Sequence, residues 1–280
     1  MISRREAVAF WEVRFSDAGL DSPRLSAQIL LARALNLPRL EMLLDSGAPV
    51  SRTEFAAFEK LALRRLQGEP VAYLVGRKEF YGLDFDVNPD VLIPRPETEL
   101  MVDRLVESAE RDAALRILDI GTGSGALAVT CAVLFPNGTV TAVDISFAAL
   151  SVARRNARSH GVADRTAFVC GDLVGAVDVG VFDVILANLP YVPEKTRGEM
   201  SREVLAYEPE GALFAGADGL AMYRRLAMSL NGKPRQGALL LCEIDASQGG
   251  AMFDLFSPMA RDVCVERDYA GLDRLVIVVF

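Results

Sequence analysis

Histidine is almost missing from this chain, with His160 the only one in 280 residues. It stands beside Gly161 at the end of an expected helix, where a helix-end role suits it better than catalysis, so a histidine-based triad is not expected. Cysteine is sparse as well. Cys131, Cys170, Cys242 and Cys264 lie far apart in apolar segments, without the close pairing of zinc sites or disulfide frameworks. They are expected to be reduced core residues, and no metal is expected. No window of about 18 uninterrupted apolar residues occurs and no apolar run follows a basic start, so a membrane span or a secretion signal is not expected. A cytoplasmic protein is the expectation. Positive charge is also in deficit. A net charge of -8 disfavours a broad nucleic-acid footprint and favours a protein or small-molecule partner.

What is present is apolar content, 51% of the chain, spread over a length that suggests one core of ordinary size with a smaller companion. From Arg4 to about Gln67 the pattern is one of short helices. Gly19 closes a segment, Ser22-Pro23 opens the next as cap and first-turn proline, and Asn36-Leu37-Pro38 and Ser46-Gly47 punctuate again. Ser51-Arg52-Thr53-Glu54 has capping-box spacing before Phe55, Phe58, Leu61, Ala62 and Leu66, which recur on one helical face. A small helical bundle is expected at residues 1–72. By itself it carries no catalytic constellation.

After Gly68-Glu69-Pro70 the pattern changes. Phe80 to Val87 alternates about Gly82 as a hairpin would, and Val91 to Glu99 is stiffened by Pro94 and Pro96 before a helix begins near Glu97. Residues 73–96 are therefore read as hairpin and proline-rich linker, and residues 97–280 as a separate α/β domain.

Within that domain, Arg116-Ile117-Leu118-Asp119-Ile120 is an apolar strand that runs into Gly121-Thr122-Gly123-Ser124-Gly125 and then a helical stretch to Phe135. Glycines at alternate positions allow a tight turn and a close approach of backbone to ligand. Dinucleotide enzymes use G-x-G-x-x-G to rest a pyrophosphate on the helix; here the third glycine comes one residue early and Asp119 precedes the loop. A carboxylate there suits a cation. S-adenosylmethionine, with its sulfonium and ammonium and no phosphate, is a sensible ligand for such a loop. Asp144 ends the next strand, about 20 positions after the loop, as a ribose-binding acid should. After a third strand, Thr166 to Cys170, Asp172 could accept from an adenine amine and Leu173 could cover the ring.

The run Phe182 to Ala187 reads as a buried parallel strand, and it delivers Asn188-Leu189-Pro190-Tyr191 at its carboxyl end, where ligands of open α/β sheets gather. An amide oxygen, a backbone without a donor at Pro190 and an aromatic face could together hold a planar amino or amide group. Later apolar segments at residues 238–244, 263–265 and 275–280 complete a mostly parallel sheet.

Several stretches resemble the HemK family, protein-glutamine methyltransferases that act on peptide-chain release factors. They are Gly68-Glu69-Pro70-Val71-Ala72-Tyr73-Leu74-Val75-Gly76, Glu79-Phe80-Tyr81-Gly82-Leu83, Val91-Leu92-Ile93-Pro94-Arg95-Pro96-Glu97-Thr98-Glu99, Asp119 to Gly125, Glu208-Pro209 and Ala212-Leu213-Phe214-Ala215-Gly216. The resemblance implies a class I S-adenosylmethionine-dependent methyltransferase, Rossmann-like, behind a helical domain that helps recognise the release factor. It implies the glutamine of a Gly-Gly-Gln tripeptide as target, and S-adenosylhomocysteine as product. The family usually has Asn-Pro-Pro-Tyr, and Leu189 departs from it. Because that position is thought to act through its carbonyl, leucine should keep the contact. The same string resembles one in adenine methyltransferases of ribosomal RNA, so an adenine amino-methyltransferase of RNA or DNA stands as the alternative.

The expected roles follow. Asn188, Leu189, Pro190 and Tyr191 form the catalytic turn: the Asn188 side-chain oxygen and the Leu189 carbonyl each take one N–H of the substrate amide, and Tyr191 packs against its plane. Asp119, Gly121, Thr122, Gly123, Ser124, Gly125, Asp144, Asp172, Leu173 and Asn188 are expected to hold the cofactor.

Overall fold

The computed structural model describes residues 2–280, and the chain divides into two compact units. One unit runs to Arg77 and also takes Ser201–Tyr207; the other holds the remainder. The break falls inside the stretch read as hairpin and linker.

The first unit is helical, with helices at Arg4–Asp17, Pro23–Leu35, Arg39–Leu44, Arg52–Leu66 and Val71–Val75. Trp11, Phe15, Leu30, Leu31 and Phe58 are buried at its centre, with Trp11 and Phe58 edge-on at 6.3 Å between ring centres. The capping box at Ser51 is present: its Oγ accepts from the Glu54 N–H and the Glu54 carboxylate accepts from the Ser51 N–H. A second box, Ser3 with Glu6, starts the first helix. Ser22 corrects an expectation. It sits left-handed at φ 47° and makes no side-chain cap bond, so Pro23 opens that helix alone. The returning segment is pinned by Arg65, whose buried guanidinium meets Glu203 at 2.6 Å, and by Tyr207, whose hydroxyl donates to the Gln67 carbonyl at 3.2 Å.

The second unit is built on seven strands: β1 (Arg116–Ile120), β2 (Thr139–Asp144), β3 (Thr166–Cys170), β4 (Val184–Ala187), β5 (Leu239–Glu243), β6 (Asp262–Arg267) and β7 (Asp273–Val279). Their order across the sheet is β6-β7-β5-β4-β1-β2-β3. The first five are parallel to one another, and β7 runs antiparallel between β5 and β6. Alternate residues of one strand go to opposite faces. Val184 and Leu186 join one core with helices Glu99–Ser108 and Ala126–Leu134, while Ile185 and Ala187 join the other with helices Ala221–Leu230 and Gly249–Phe256. Both faces are covered, which is why β4 is apolar at every position. Each fully buried aliphatic side chain contributes about 1.5–3 kcal/mol as an upper figure.

The hairpin pairs Arg77–Phe80 with Leu83–Asp86 through Tyr81 and Gly82, both at positive φ, the signature of a tight two-residue turn. His160 ends the helix Phe147–Ser159, and its Nε2 meets the Asp84 carbonyl at 2.8 Å. Cys131 and Cys242 are buried, but Cys170 and Cys264 are exposed, contrary to the expectation of four core thiols. The two exposed ones lie on β3 and β6, the edge strands, where a face is left uncovered.

Candidate active site

Strands β1, β2 and β4 lie side by side in register, so the turns that leave their carboxyl ends face one another. The glycine turn folds back on β2, the Val143 carbonyl accepting from the N–H groups of Gly121 and Thr122 at 2.8 and 3.0 Å. Gly121 holds φ 75°, and a methyl in place of its hydrogen would stand 3.1 Å from Leu189 Cδ2. The glycine there is what lets the turn after β4 close over the turn after β1. Between them opens a cavity of about 480 Å³, within the range of small-molecule sites.

The residues singled out from sequence mostly converge on that cavity. Asp119, Gly121, Thr122, Gly123, Ser124, Asp144, Asp172, Leu173, Asn188, Leu189 and Pro190 all line it. Gly125 does not. It starts the helix Ala126–Leu134, where a methyl in place of its hydrogen would stand 3.0 Å from Ala153 Cβ. Tyr191 does not line the cavity either: its hydroxyl donates to Glu243 Oε1 at 3.0 Å, and its phenol is pushed up from the ordinary range by burial and by that carboxylate.

Asp119 is buried and accepts from the Thr122 hydroxyl at 2.6 Å. Burial pushes its carboxyl up to about 7, against the opposing pull of that hydrogen bond. Asp144 is held at both ends, Oδ2 accepting from the Gly123 N–H and Oδ1 from the Ser146 N–H, each at 2.8 Å. Each oxygen keeps a lone pair for a ligand hydroxyl. Asp172 lies at the exposed rim, where one of its oxygens pairs with Arg225, also on the cavity wall. Leu173 is buried at φ 51°, a left-handed conformation that costs a branched residue about 1–2 kcal/mol and holds its side chain at the wall.

Asn188 is half-buried, and both its amide hydrogens are used within the chain. Its Nδ2 donates to Glu243 Oε2 and to Thr98 Oγ1, each at 3.0 Å. Among the described residues no donor is bonded to its Oδ1 or to the Leu189 carbonyl. Behind the turn, Gln248 Nε2 donates to the Tyr191 carbonyl at 2.9 Å. The proline-stiffened segment is anchored by Glu208, which accepts from the Ile93 N–H at 3.1 Å and from Arg95 at 2.6 Å.

Glu243 and Gln248 are absent from the expected site, and Thr98, although it stands in the Val91–Glu99 run, has no expected role there. For Glu243 the available signal is a lone carboxylate closing the apolar strand β5 at the same sheet end as Asn188. Burial pushes the Glu243 carboxyl above its ordinary range, while hydrogen bonds from Thr98 and Tyr191 pull it down. Among the described residues no group of three or more His, Cys, Asp or Glu side chains could hold a metal, and no helix is long and apolar enough to cross a membrane.

Comparison with known proteins matches two stretches of the chain. A family model described as the PrmC N-terminal domain matches residues 6–76, and one described as the methyltransferase small domain matches residues 96–214. The chain is 42% identical over 269 residues to a release factor glutamine methyltransferase of Chlorobaculum tepidum, covering 93% of this chain and 91% of that protein. To its namesake in Nitratidesulfovibrio vulgaris it is 42% identical over 267 residues, covering 94% of this chain and 90% of the other. Among solved structures, the hMettl16 catalytic domain in complex with MAT2A 3′UTR hairpin 6 is similar in fold. That likeness has a TM-score of 0.57 and 15% identity over 79% of this chain and 82% of the other.

Proposed function

This chain belongs to the family of release factor glutamine methyltransferases, and on that footing we propose how its own residues methylate a release-factor glutamine with S-adenosylmethionine as donor. The adenine alternative is not favoured, since the relatives that match nearly the whole chain carry the release-factor name.

The donor fits the cavity by chemistry. Asp119 offers a carboxylate to a cationic amino-acid end, Asp144 keeps acceptor capacity for ribose hydroxyls, and Leu173 and the free oxygen of Asp172 suit an adenine. S-adenosylmethionine supplies a methyl group made electrophilic by the sulfonium that bears it.

The chain's part is to prepare the acceptor. A carboxamide nitrogen is a poor nucleophile because its lone pair is delocalised into the carbonyl. Asn188 Oδ1 and the Leu189 carbonyl each accept one N–H of the glutamine amide, which aims the lone pair and stabilises positive charge as it develops on nitrogen. No strong base is needed, because the acidified nitrogen sheds its proton once it carries the methyl. A lone histidine engaged elsewhere is then no handicap. Tyr191, turned onto Glu243, braces the turn rather than covering the amide.

The observation that carries this reading is that Asn188 and Leu189, whose Oδ1 and main-chain carbonyl meet no donor among the described residues, both line the cavity that the glycine turn also lines. The helical unit is assigned to recognition of the release factor, the target being the Gly-Gly-Gln glutamine. The test is incubation with labelled S-adenosylmethionine and either release factor or nucleic acid, followed by mass-spectrometric mapping. A mark on that glutamine supports the reading; a mark on another residue or on a base removes it.

A further inference from the structure

We propose that Glu243, together with Thr98, is the positioning element that fixes the polarity of the Asn188 carboxamide, so that the cavity meets its oxygen and never its amino group. This rests on the function proposed above. A carboxamide is nearly symmetric in shape, and a half-turn about its last bond exchanges an acceptor for a double donor. Nothing within Asn188-Leu189-Pro190-Tyr191 decides which end faces a substrate.

The surroundings decide it. Glu243 Oε2 takes one Asn188 N–H at 3.0 Å. Thr98 Oγ1 takes the other at 3.0 Å, and can only accept there because its own hydrogen is committed to Glu243 Oε2 at 2.6 Å. A reversed Asn188 would set its oxygen against a carboxylate oxygen and against a hydroxyl whose hydrogen points elsewhere. Both contacts would be repulsive, in a place where unmatched polar groups are costly. Glu243 cannot swing away to relieve them. It is 1% exposed, Tyr191 donates to its other oxygen at 3.0 Å, and the Tyr223 hydroxyl donates to its backbone carbonyl.

The consequence is selectivity by hydrogen-bond polarity. A primary amide offers N–H groups to both free acceptors of the turn. A carboxylate side chain in the same pose would offer only oxygens to oxygens. The buried glutamate therefore lets this turn tell glutamine from glutamate without touching either.

The test is steady-state methyl transfer to the release factor by full-length variants, with cofactor affinity by calorimetry and thermal unfolding alongside. Glu243→Gln is expected to lower kcat by about 10²-fold, because a misplaced acceptor costs that much, with cofactor affinity close to the parent's. Thr98→Val is expected to lower kcat by about tenfold. Thr98→Ser, which keeps the hydroxyl, recovers most of that loss. Asn188→Asp sets two carboxylates against each other, and adding Glu243→Gln supplies the missing donor, so the double variant is expected to exceed Asn188→Asp by about tenfold. If the parent transfers no methyl to the release factor, the functional reading itself fails. If the parent is active and Glu243→Gln keeps its full rate, or the double variant is no better than Asn188→Asp, the positioning role is overturned. Should Glu243→Gln not fold, equal rates for Thr98→Val and Thr98→Ser overturn it as well.

Discussion

The main-chain N–H of Gly123 donates to Asp144 Oδ2 over 2.8 Å, so the carboxylate expected to meet the ribose also holds the crest of the glycine turn. Turn geometry and the proposed cofactor contact are therefore tied to one side chain.

Asp144→Ala should weaken cofactor binding by more than the ribose contacts alone would account for, because the turn loses its anchor as well. Asp144→Asn keeps one acceptor oxygen and should lose less. Calorimetric titration with S-adenosylmethionine compares them; equal affinity for the parent and Asp144→Ala would remove the assignment. A lost hydrogen bond to a charged group is worth about 1.5–3 kcal/mol, or roughly ten- to hundredfold in affinity.

The Asp119 carboxyl, raised from 3.8 to about 7 by burial, makes two pH dependences expected. Binding of a cation beside it favours the ionised form, so cofactor affinity should rise as pH increases through about 7 and protons should be released on binding near that pH. Titration in buffers of different ionisation enthalpy reads the release. In the ligand-free protein the sign is opposite. The fold retains this proton where the unfolded chain has lost it, so the stability it contributes is fully present below pH 3.8 and lost as pH climbs to about 7. Asp119→Asn should flatten that slope in pH-dependent denaturant unfolding; an unchanged slope would count against it.

Asn188→Ala removes one of the two acceptors and should abolish methyl transfer, a loss of about 10²-fold or more, while leaving cofactor affinity largely intact. Single-turnover kinetics and calorimetry separate the two. Full activity would exclude the proposed role.

Gly219 sits at φ 76°, and an added methyl would lie 2.0 Å from the Tyr191 carbonyl oxygen and 2.5 Å from Gln248 Nε2. Gly219→Ala must therefore break the Gln248 bond that braces the turn. It should cost about 1–3 kcal/mol of stability and most of the activity. Gly198→Ala, at ordinary φ with open space around it, serves as the control and should be near neutral. Thermal unfolding and initial rates report both.

Much of the cavity lining was legible in the sequence because it is built at strand ends. β1, β2 and β3 lie within a residue of where apolar runs placed them, and a strand end carries the following turn with it. Once β1, β2 and β4 are parallel neighbours, Asp119, Asp144 and Asn188 must share one edge of the sheet. Ser22 shows where a local pattern misleads. Its Ser-Pro spacing suits a cap, yet a left-handed backbone takes the hydroxyl out of reach.

By itself the sequence determined the strands of the sheet, the glycine turn and the turn after β4, since each depends on residues close together in the chain. Which way those side chains point was decided only by the tertiary structure. Asn188 is oriented by Thr98 and Glu243, Tyr191 is drawn off the cavity by the same glutamate, and Asp172 is met by Arg225. Those partners arrive from distant segments, and hydrogen-bond polarity exists only between groups the fold has already brought within about 3 Å.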